Sequence, residues 1–379
     1  MSRMTSRERF MTAMRNQKPD RVPCAPDMSN MIPARRTGRP FWDIYYHENP
    51  PLWRAYLDAA RHFGIDAWFI YGAPEFTYPA PVERERRIIS QTAERWVVAD
   101  RIVTPAGDLT SEMTYYIADP PTVTVKPIKD LKRDWPKVRY LFQEPIAYDD
   151  SVCQLQKREL GETGVFGIGV TTPGFHSWFG LFEGTVQSLS YLYYDEPELI
   201  EELRALHERS LLKRAEMVIE MRPDFILTGG SGSITLQSPT LWRRLSLPTL
   251  QKITRMARQA GVLTMVHSCG REYDLVKACA EETDLDCVNP LEEPPMGDCN
   301  LAQLKREFGH RLSLMGNLHT TNVMLLGTPE EVERAARKAI DDAAAGGGFI
   351  LSTGDQCGRD TPEANIFKLV EVCETYGRY

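Results

Sequence analysis

Val262-Leu263-Thr264-Met265-Val266-His267-Ser268-Cys269-Gly270 is the stretch that decides the fold class. Residues 262–266 are apolar apart from Thr264, do not alternate with polar residues, and stop at a short polar turn closed by glycine. A strand with one wet face alternates; an unbroken apolar run ending in a turn signal fits a strand covered on both faces, as in a parallel sheet. The same signature recurs at residues 22–26, 67–71, 165–170, 225–228, 287–289, 312–315 and 349–351. Between most of these runs lie helical patterns, such as Leu199, Ile200, Leu203, Leu206, Leu211, Leu212 and Met217 within 197–221. Helices over 239–259 and 329–344 both open on proline, the second behind Thr328 as a cap. Eight strand–helix units in one chain predict an α/β fold of the (β/α)8 TIM-barrel kind, a doubly wound sheet being the alternative.

The chain opens with a capping box, Thr5 and Glu8, ahead of Phe10, Met11 and Met14, which predicts an N-terminal helix outside the repeating units. Residues 72–150 break the pattern: they are rich in proline, and 95–104 and 109–116 alternate around Pro105-Ala106-Gly107-Asp108. That is a β-hairpin insertion after the second strand, with the mixed charges of 83–87 as a solvated face, inside a single domain spanning 1–379.

With 45 Lys+Arg against 52 Asp+Glu, net charge −7 and 42% hydrophobic residues in 379, the chain is neither disordered nor collagen-like. Without a basic block it is expected to bind no nucleic acid and no anionic membrane. No run of 18 apolar residues exists and the opening MSRMTSRERF is too polar for a signal peptide, so a cytoplasmic location is expected. The eight cysteines form no CxxC pair and most should be buried small hydrophobes. Cys279 and Cys287 fit a helix and a strand, Cys24 and Cys373 fit packing positions, and Cys299 between Asp298 and Asn300 reads as exposed.

His267 and Cys269, two apart on an extended chain, point to the same side at the C-terminal end of their strand, where barrel enzymes keep their chemistry. Imidazole and thiolate are zinc ligands, and a catalytic zinc takes three protein ligands and keeps one position open. The alternative is a strand-end histidine satisfied by a carbonyl beside a buried cysteine. Cys357, among the polar and glycine residues that follow 346–351, is a candidate third ligand; a glycine-rich phosphate cradle is the competing reading of that turn. After residues 165–170, Phe175, His176, Trp178, Phe179 and Phe182 offer either a pocket for a flat ligand or a staple beneath the next helix. Glu183 is a candidate fourth zinc ligand or an acid favoured by a helix N-terminus. Asn317 and His319, after residues 312–315, are candidate substrate-binding residues or structural ones.

Thr5-Ser6-Arg7-Glu8-Arg9, Pro19-Asp20-Arg21-Val22-Pro23, His267-Ser268-Cys269-Gly270, Asn289-Pro290-Leu291, Gly316-Asn317-Leu318, Gly347-Gly348-Phe349-Ile350-Leu351, Thr361-Pro362-Glu363-Ala364-Asn365 and Tyr376-Gly377-Arg378-Tyr379 together resemble the uroporphyrinogen decarboxylase superfamily. The resemblance covers nearly the whole chain and implies a (β/α)8 barrel. True decarboxylases carry an Arg-Gln-Ala-Gly-Arg-Tyr segment for substrate carboxylates. Here Asp27-Met28-Ser29-Asn30-Met31-Ile32 stands there, with Arg35 and Arg36 as partial substitutes and Asn30 as a candidate substrate contact. A polyanionic substrate needs fixed cations, so decarboxylation is disfavoured.

The other branch, corrinoid-dependent methyltransferases, is similar in its His-x-Cys and a later cysteine that bind zinc, which implies His267, Cys269 and Cys357. One departure stands out. The family cysteine follows the small-Gly pair directly, where this chain has Asp355, so either Asp355 or Cys357 is the third ligand. The resemblance implies a Zn2+ enzyme that moves a methyl group from a methyl ether, an aryl ether if the aromatic loop lines the pocket, to the Co(I) corrinoid of a partner protein, with Glu183 and Asp355 as catalytic candidates. The alternatives are methyl transfer from corrinoid to a thiol and a metal-free lyase. The partners implied are a corrinoid protein and a small-molecule methyl donor, with a homodimer compatible.

Overall fold

The computed structural model describes residues 4–379. Seven strands, β1 (Ala67–Gly72), β2 (Gly164–Gly169), β3 (Phe225–Gly229), β4 (Leu263–His267), β5 (Cys287–Asn289), β6 (Ser313–Leu318) and β7 (Phe349–Thr353), lie in that order in one parallel sheet. Residues 22–26 were expected to form an eighth strand and make only a bridge, because Pro23 and Pro26 have no N–H to give a ladder. That bridge nonetheless spans the sheet's two edges. Ala25 N–H donates to the Leu351 carbonyl (2.9 Å) and Leu351 N–H to that of Pro23 (2.9 Å), while Asp66 N–H donates to that of Cys24 (2.8 Å). The result is a TIM-barrel-like arrangement.

One buried residue from each position fills the interior: Ala25, Trp68, Val165, Phe225, Met265, Cys287, Met315 and Ile350. Phe10, Ala13 and Met14 of the capped helix Ser6–Met14 pack onto the same cluster, and its capping box joins Thr5 and Glu8 as the sequence indicates. The entry segment is anchored by Asp66, a fully buried carboxylate. It accepts from Arg9 Nη1 (2.6 Å), Arg21 Nη1 (2.8 Å) and Cys24 N–H (2.8 Å). A buried charge is tolerated only when paired and hydrogen-bonded in this way.

Helices cover the outer face. The expected helix over 239–259 is two, Pro239–Leu245 and Leu247–Ala260, because Pro248 has no N–H for the carbonyl one turn back. The insertion is a four-stranded antiparallel sheet: Glu83–Gln91, Arg95–Thr104, Gly107–Tyr116 and Thr122–Val125. Its central pair is the hairpin legible in the sequence; the outer two strands carry too little alternation to be read, and residues 83–87 are exposed throughout. Trp96 stacks on Trp42 with ring centroids 4.8 Å apart, and Arg359, in the loop after β7, donates to the Ala118 carbonyl (2.7 Å). The insertion is thus tied to the end of the barrel that carries the candidate residues. Among the described residues, no helix is long and apolar enough to cross a membrane.

Candidate metal centre

β4 ends at His267, and the chain stays in register with β5 for one more residue, Ser268 N–H donating to the Asn289 carbonyl (2.9 Å). His267 and Cys269 therefore face the mouth together. The loop after β7 supplies the third group. Gly354 N–H donates to the Leu318 carbonyl (2.7 Å) and Thr353 Oγ1 donates to the Asp355 carbonyl (2.6 Å), which turns the Asp355 side chain toward the pair. The donor atoms of His267, Cys269 and Asp355 lie within 4.8 Å of one another, with His267 Nε2 to Asp355 Oδ1 at 4.0 Å.

His267 is oriented from behind. Its Nδ1 lies 2.6 Å from Asn289 Oδ1, a carboxamide oxygen that can only accept, so the ring proton sits on Nδ1 and the Nε2 lone pair is free. Burial, with the charge of Asp355, pushes the Cys269 thiol up to about 11, against the Ser231 hydroxyl and Gly232 N–H, which favour the thiolate. Burial likewise raises the Asp27 and Glu292 carboxyls, and the charge of Asp355 adds to both. Fully buried Glu272 is pushed well up by the same cause; its Oε2 accepts from Leu291 N–H (3.1 Å) and its Oε1 has no partner. Among the described residues, no lysine or arginine forms an ion pair with Asp27, Glu272, Glu292 or Asp355.

This donor set fits a divalent zinc. Bonds of about 2.0–2.3 Å in a tetrahedron put donors roughly 3.3–3.8 Å apart, somewhat nearer than the 4.0 Å between His267 and Asp355 and the 4.8 Å that bounds the cluster, and three protein donors leave the fourth position for substrate. A cation here would also lie near the carboxyls of Asp27, Glu292 and Asp355, which have no lysine or arginine ion pair among the described residues.

Cys357 is not part of the cluster. Its N–H donates to the Asp27 carbonyl (2.8 Å), its Sγ is 4.0 Å from Thr353 Oγ1, and it is fully buried in the core, with burial first and then Asp27 pushing the thiol up to about 12. The bend at Gly354 presents Asp355 and folds Cys357 back. Glu183 is exposed and held by Lys126 N–H (3.1 Å) and Lys129 Nζ (3.3 Å), which use its carboxylate away from the three donors.

Of the two readings of Phe175 and Trp178, the packing matches the staple beneath the next helix. Both are fully buried in a separate cluster with Ile128, Leu131 and Leu203, and Trp178 Nε1 donates to His207 Nδ1 (3.1 Å). The short helix Phe175–Trp178 turns these rings beneath the long helix Pro197–Glu220. His176 is half-buried, with Nε2 3.2 and 3.3 Å from the Thr171 and Thr172 hydroxyls, and burial pushes its pKa down to about 4. A side chain at Gly230 would touch its ring, so His176 backs the loop that supports Cys269. Asn30 precedes the helix Met31–Arg36 and has a buried, unpartnered Oδ1. Asn317 Nδ2 donates to Glu293 Oε1 (3.4 Å), and His319 Nδ1 accepts from Thr321 and Asn322 N–H (3.1 and 3.2 Å), capping the turn that follows. Cys299, expected exposed, is buried: Asp298 accepts from Glu272 and Tyr273 N–H and Asn300 caps the next helix, so both polar neighbours are used locally.

Sequence reasoning gave no role to Asn289, Asp27 or Glu292. Asn289 had a signal, since in parallel register it lies directly opposite His267.

A family model described as Uroporphyrinogen decarboxylase (URO-D) matches residues 95–376. Among curated proteins, the chain is similar to the methylcobamide:CoM methyltransferase MtbA of Methanosarcina mazei, 29% identical over 162 residues, 40% of this chain and 44% of that protein. It is similar to MtaA of Methanosarcina barkeri at 24% over 193 residues, 51% and 53% of the two chains, and to a uroporphyrinogen decarboxylase of Mannheimia succiniciproducens at 29% over 79 residues, 21% and 22%. The match thus spans about half or less of each of these relatives. A solved structure described as a methyltransferase from Methanosarcina mazei superposes with TM-score 0.66 at 17% identity, covering 98% of this chain and 99% of that one. That likeness speaks for the fold.

Proposed function

The chain belongs to the uroporphyrinogen decarboxylase family, and we propose that it is a corrinoid-dependent methyltransferase with a zinc site, taking a methyl group from a methyl ether and passing it to the Co(I) corrinoid of a separate protein. The observation that carries this reading is the His267–Cys269–Asp355 cluster at the barrel mouth. The names of MtbA and MtaA, methylcobamide:CoM methyltransferases, support the same class, while other relatives bear the name uroporphyrinogen decarboxylase.

Zinc bound there supplies a Lewis acid for the ether oxygen and favours the thiolate of Cys269. Asn289 fixes the tautomer and direction of His267. Asp355, a harder donor than a second thiolate and less electron-rich, suits the site to an oxygen ligand. Glu292 accepts from Gly270 N–H through Oε2, its carboxyl is raised by burial, and it is the candidate proton donor to the departing alcohol. The products are then the alcohol and a methylated corrinoid.

A second reading has one observation behind it. The relatives' printed names include coenzyme M as a partner in the reaction, which favours transfer from methyl-corrinoid to a thiol. A lyase acting on a polycarboxylate has less support: Arg35 and Arg36 are engaged with Glu363 and the mouth is acidic.

Elemental mass spectrometry tests the metal. About one zinc per chain is expected in wild type and in Cys357→Ser, and loss of it in Cys269→Ser and Asp355→Asn. A zinc-free wild type, or loss in Cys357→Ser alone, overturns the assignment. Mixing the zinc protein with Co(I) cobalamin and a methyl ether, or with methylcobalamin and a thiol, then gives the direction from the corrinoid's visible spectrum.

A further inference from the structure

The loop after β3, residues 230–237, is fastened to the backbone of the strand end that carries His267 and Cys269. β3 stays in register with β4 as far as Gly229 opposite His267, and Gly230 N–H then donates to the His267 carbonyl (2.8 Å). Further along, the Thr235 hydroxyl donates to the Cys269 carbonyl (3.2 Å) and accepts from Arg271 N–H (2.9 Å), so one side chain brackets Gly270. The approach is close: a β-carbon on Gly270, where φ is +94°, would stand 2.3 Å from Thr235 Oγ1. The loop has its own frame. Ser233 N–H donates to the Gly230 carbonyl (3.0 Å), Leu236 N–H to that of Gly232 (2.8 Å), and Gln237 Nε2 to that of Ser233 (2.7 Å). From this frame the Ser231 hydroxyl and the Gly232 N–H are hydrogen-bonded to the Cys269 thiol. Ser231 and Thr235 are exposed, so neither fills the core.

Resting on the zinc reading above, we infer that Thr235 and Ser231 are positioning residues for Cys269 as a metal ligand. Thr235 holds the peptide units on both sides of Gly270, which sets the direction of the Cys269 side chain toward His267 and Asp355. Ser231 and the Gly232 amide donate to the sulfur, and a thiolate that accepts hydrogen bonds has less charge to give to a metal or an electrophile. The zinc then keeps more of its charge for an oxygen at the open position, and the sulfur is a weaker nucleophile toward a methyl group passing beside it. That second effect matters because Cys269, alone among the eight cysteines, is not buried. Asn289 does for His267 what this loop does for Cys269. Each ligand at the end of β4 is aimed by a different neighbouring strand end, β5 on one side and β3 on the other.

The test uses the full chain, loaded with zinc or with Co2+ as a coloured reporter, and the variants Thr235→Val, Thr235→Ser and Ser231→Ala. Against excess chelator, Thr235→Val is expected to release zinc about tenfold faster than wild type, and Thr235→Ser, which keeps the hydroxyl, within about twofold of it. The zinc-free Val and Ser variants should melt together, which separates positioning of the ligand from a part in folding. Ser231→Ala is expected to move the sulfur-to-cobalt charge-transfer band to longer wavelength, because the sulfur electrons are then held less tightly. It should also speed iodoacetamide alkylation of Cys269 in the zinc-loaded protein several-fold, read by peptide mass spectrometry. Zinc release from Thr235→Val at the wild-type rate, a zinc-free Val variant that melts well below the Ser variant, or an unmoved band and alkylation rate in Ser231→Ala overturns the inference. A wild type that takes up neither zinc nor cobalt overturns the metal reading itself. A wild type that binds both, with variants that behave like it, overturns the positioning role alone.

Discussion

The hydrogen bond from His267 Nδ1 to Asn289 Oδ1, at 2.6 Å, carries a prediction that can be worked through from the structure. Asn289 is fully buried, and its Nδ2 already lacks a partner. Replacing it with leucine, of similar volume, therefore removes one acceptor and orphans only the ring N–H of His267. Partners behind a metal-bound histidine typically contribute 10- to 100-fold to metal affinity, or about 1.4–2.7 kcal/mol. The bond is short and screened from water, so the upper half of that range is expected for Asn289→Leu. Asn289→Asp keeps an acceptor and adds negative charge behind the ring, so it should bind zinc as well as wild type or better. Competition against a chromophoric chelator at fixed pH measures the affinity, and melting of the zinc-free proteins checks the fold. The cost of an unpaired N–H to the zinc-free fold, about 1–3 kcal/mol, should appear there separately. If Asn289→Leu holds zinc within threefold of wild type while His267→Ala loses it, the bond does not orient the ligand and the reasoning fails.

Zinc affinity should also depend on pH through Cys269. Burial pushes its thiol up to about 11, so binding displaces a proton at neutral pH, and affinity should fall about tenfold for each unit of acidification through the range 7–9; a flat profile in chelator competition would show that no thiol proton is displaced. Asp66→Ala strips a buried carboxylate from Arg9 and Arg21 and should cost about 3–5 kcal/mol in urea unfolding; a loss under 1 kcal/mol would mean the two guanidiniums find water instead. His207, buried and pushed down to about 3, is neutral in the fold and protonated below about 6.5 when unfolded. The unfolded state then binds the extra proton, so stability present above pH 6.5 is lost as pH falls toward 3, by up to about 1.4 kcal/mol per unit. His207→Gln, which keeps an acceptor for Trp178 Nε1, should flatten the acid limb of a melting-temperature profile, and an unchanged limb would assign it to other groups.

What the sequence made legible, and what it hid, divides by the range of the interactions responsible. The run at 262–266 reads as a doubly covered strand because period and length are local, and His267 and Cys269 share a side because the spacing of two is a property of extended chain. The choice between Asp355 and Cys357 is not local. It is made by Gly354 N–H on the Leu318 carbonyl and Cys357 N–H on the Asp27 carbonyl, bonds to residues far away in the chain. The aromatic segment was open between a ligand wall and a staple for a related reason: packing against the long helix, residues 128–142 of the insertion, Leu189, Leu241 and Leu245 makes that face an interior one. Cys299 shows the converse, polar neighbours that advertise exposure while their side chains serve backbone N–H groups.

The acidity of the mouth was hidden by distance as well. Asp27, Glu272, Glu292 and Asp355 come from four separate segments, and none is unusual alone. Asp27, Glu292 and Asp355 interact with His267 or Cys269 without an ion-pairing lysine or arginine among the described residues, an arrangement that a divalent cation would favour. Zinc that binds the folded chain and not the unfolded one should raise the melting temperature, by an increment that grows with free zinc as the logarithm of its concentration over Kd. Asp355→Asn removes both a donor and the charge that presses on its neighbours. It should therefore shrink that increment while leaving the zinc-free protein as stable as wild type or more so. A zinc-free Asp355→Asn protein markedly less stable than wild type would mean that Asp355 holds the loop together, and these carboxyls would lose their standing as evidence for a metal.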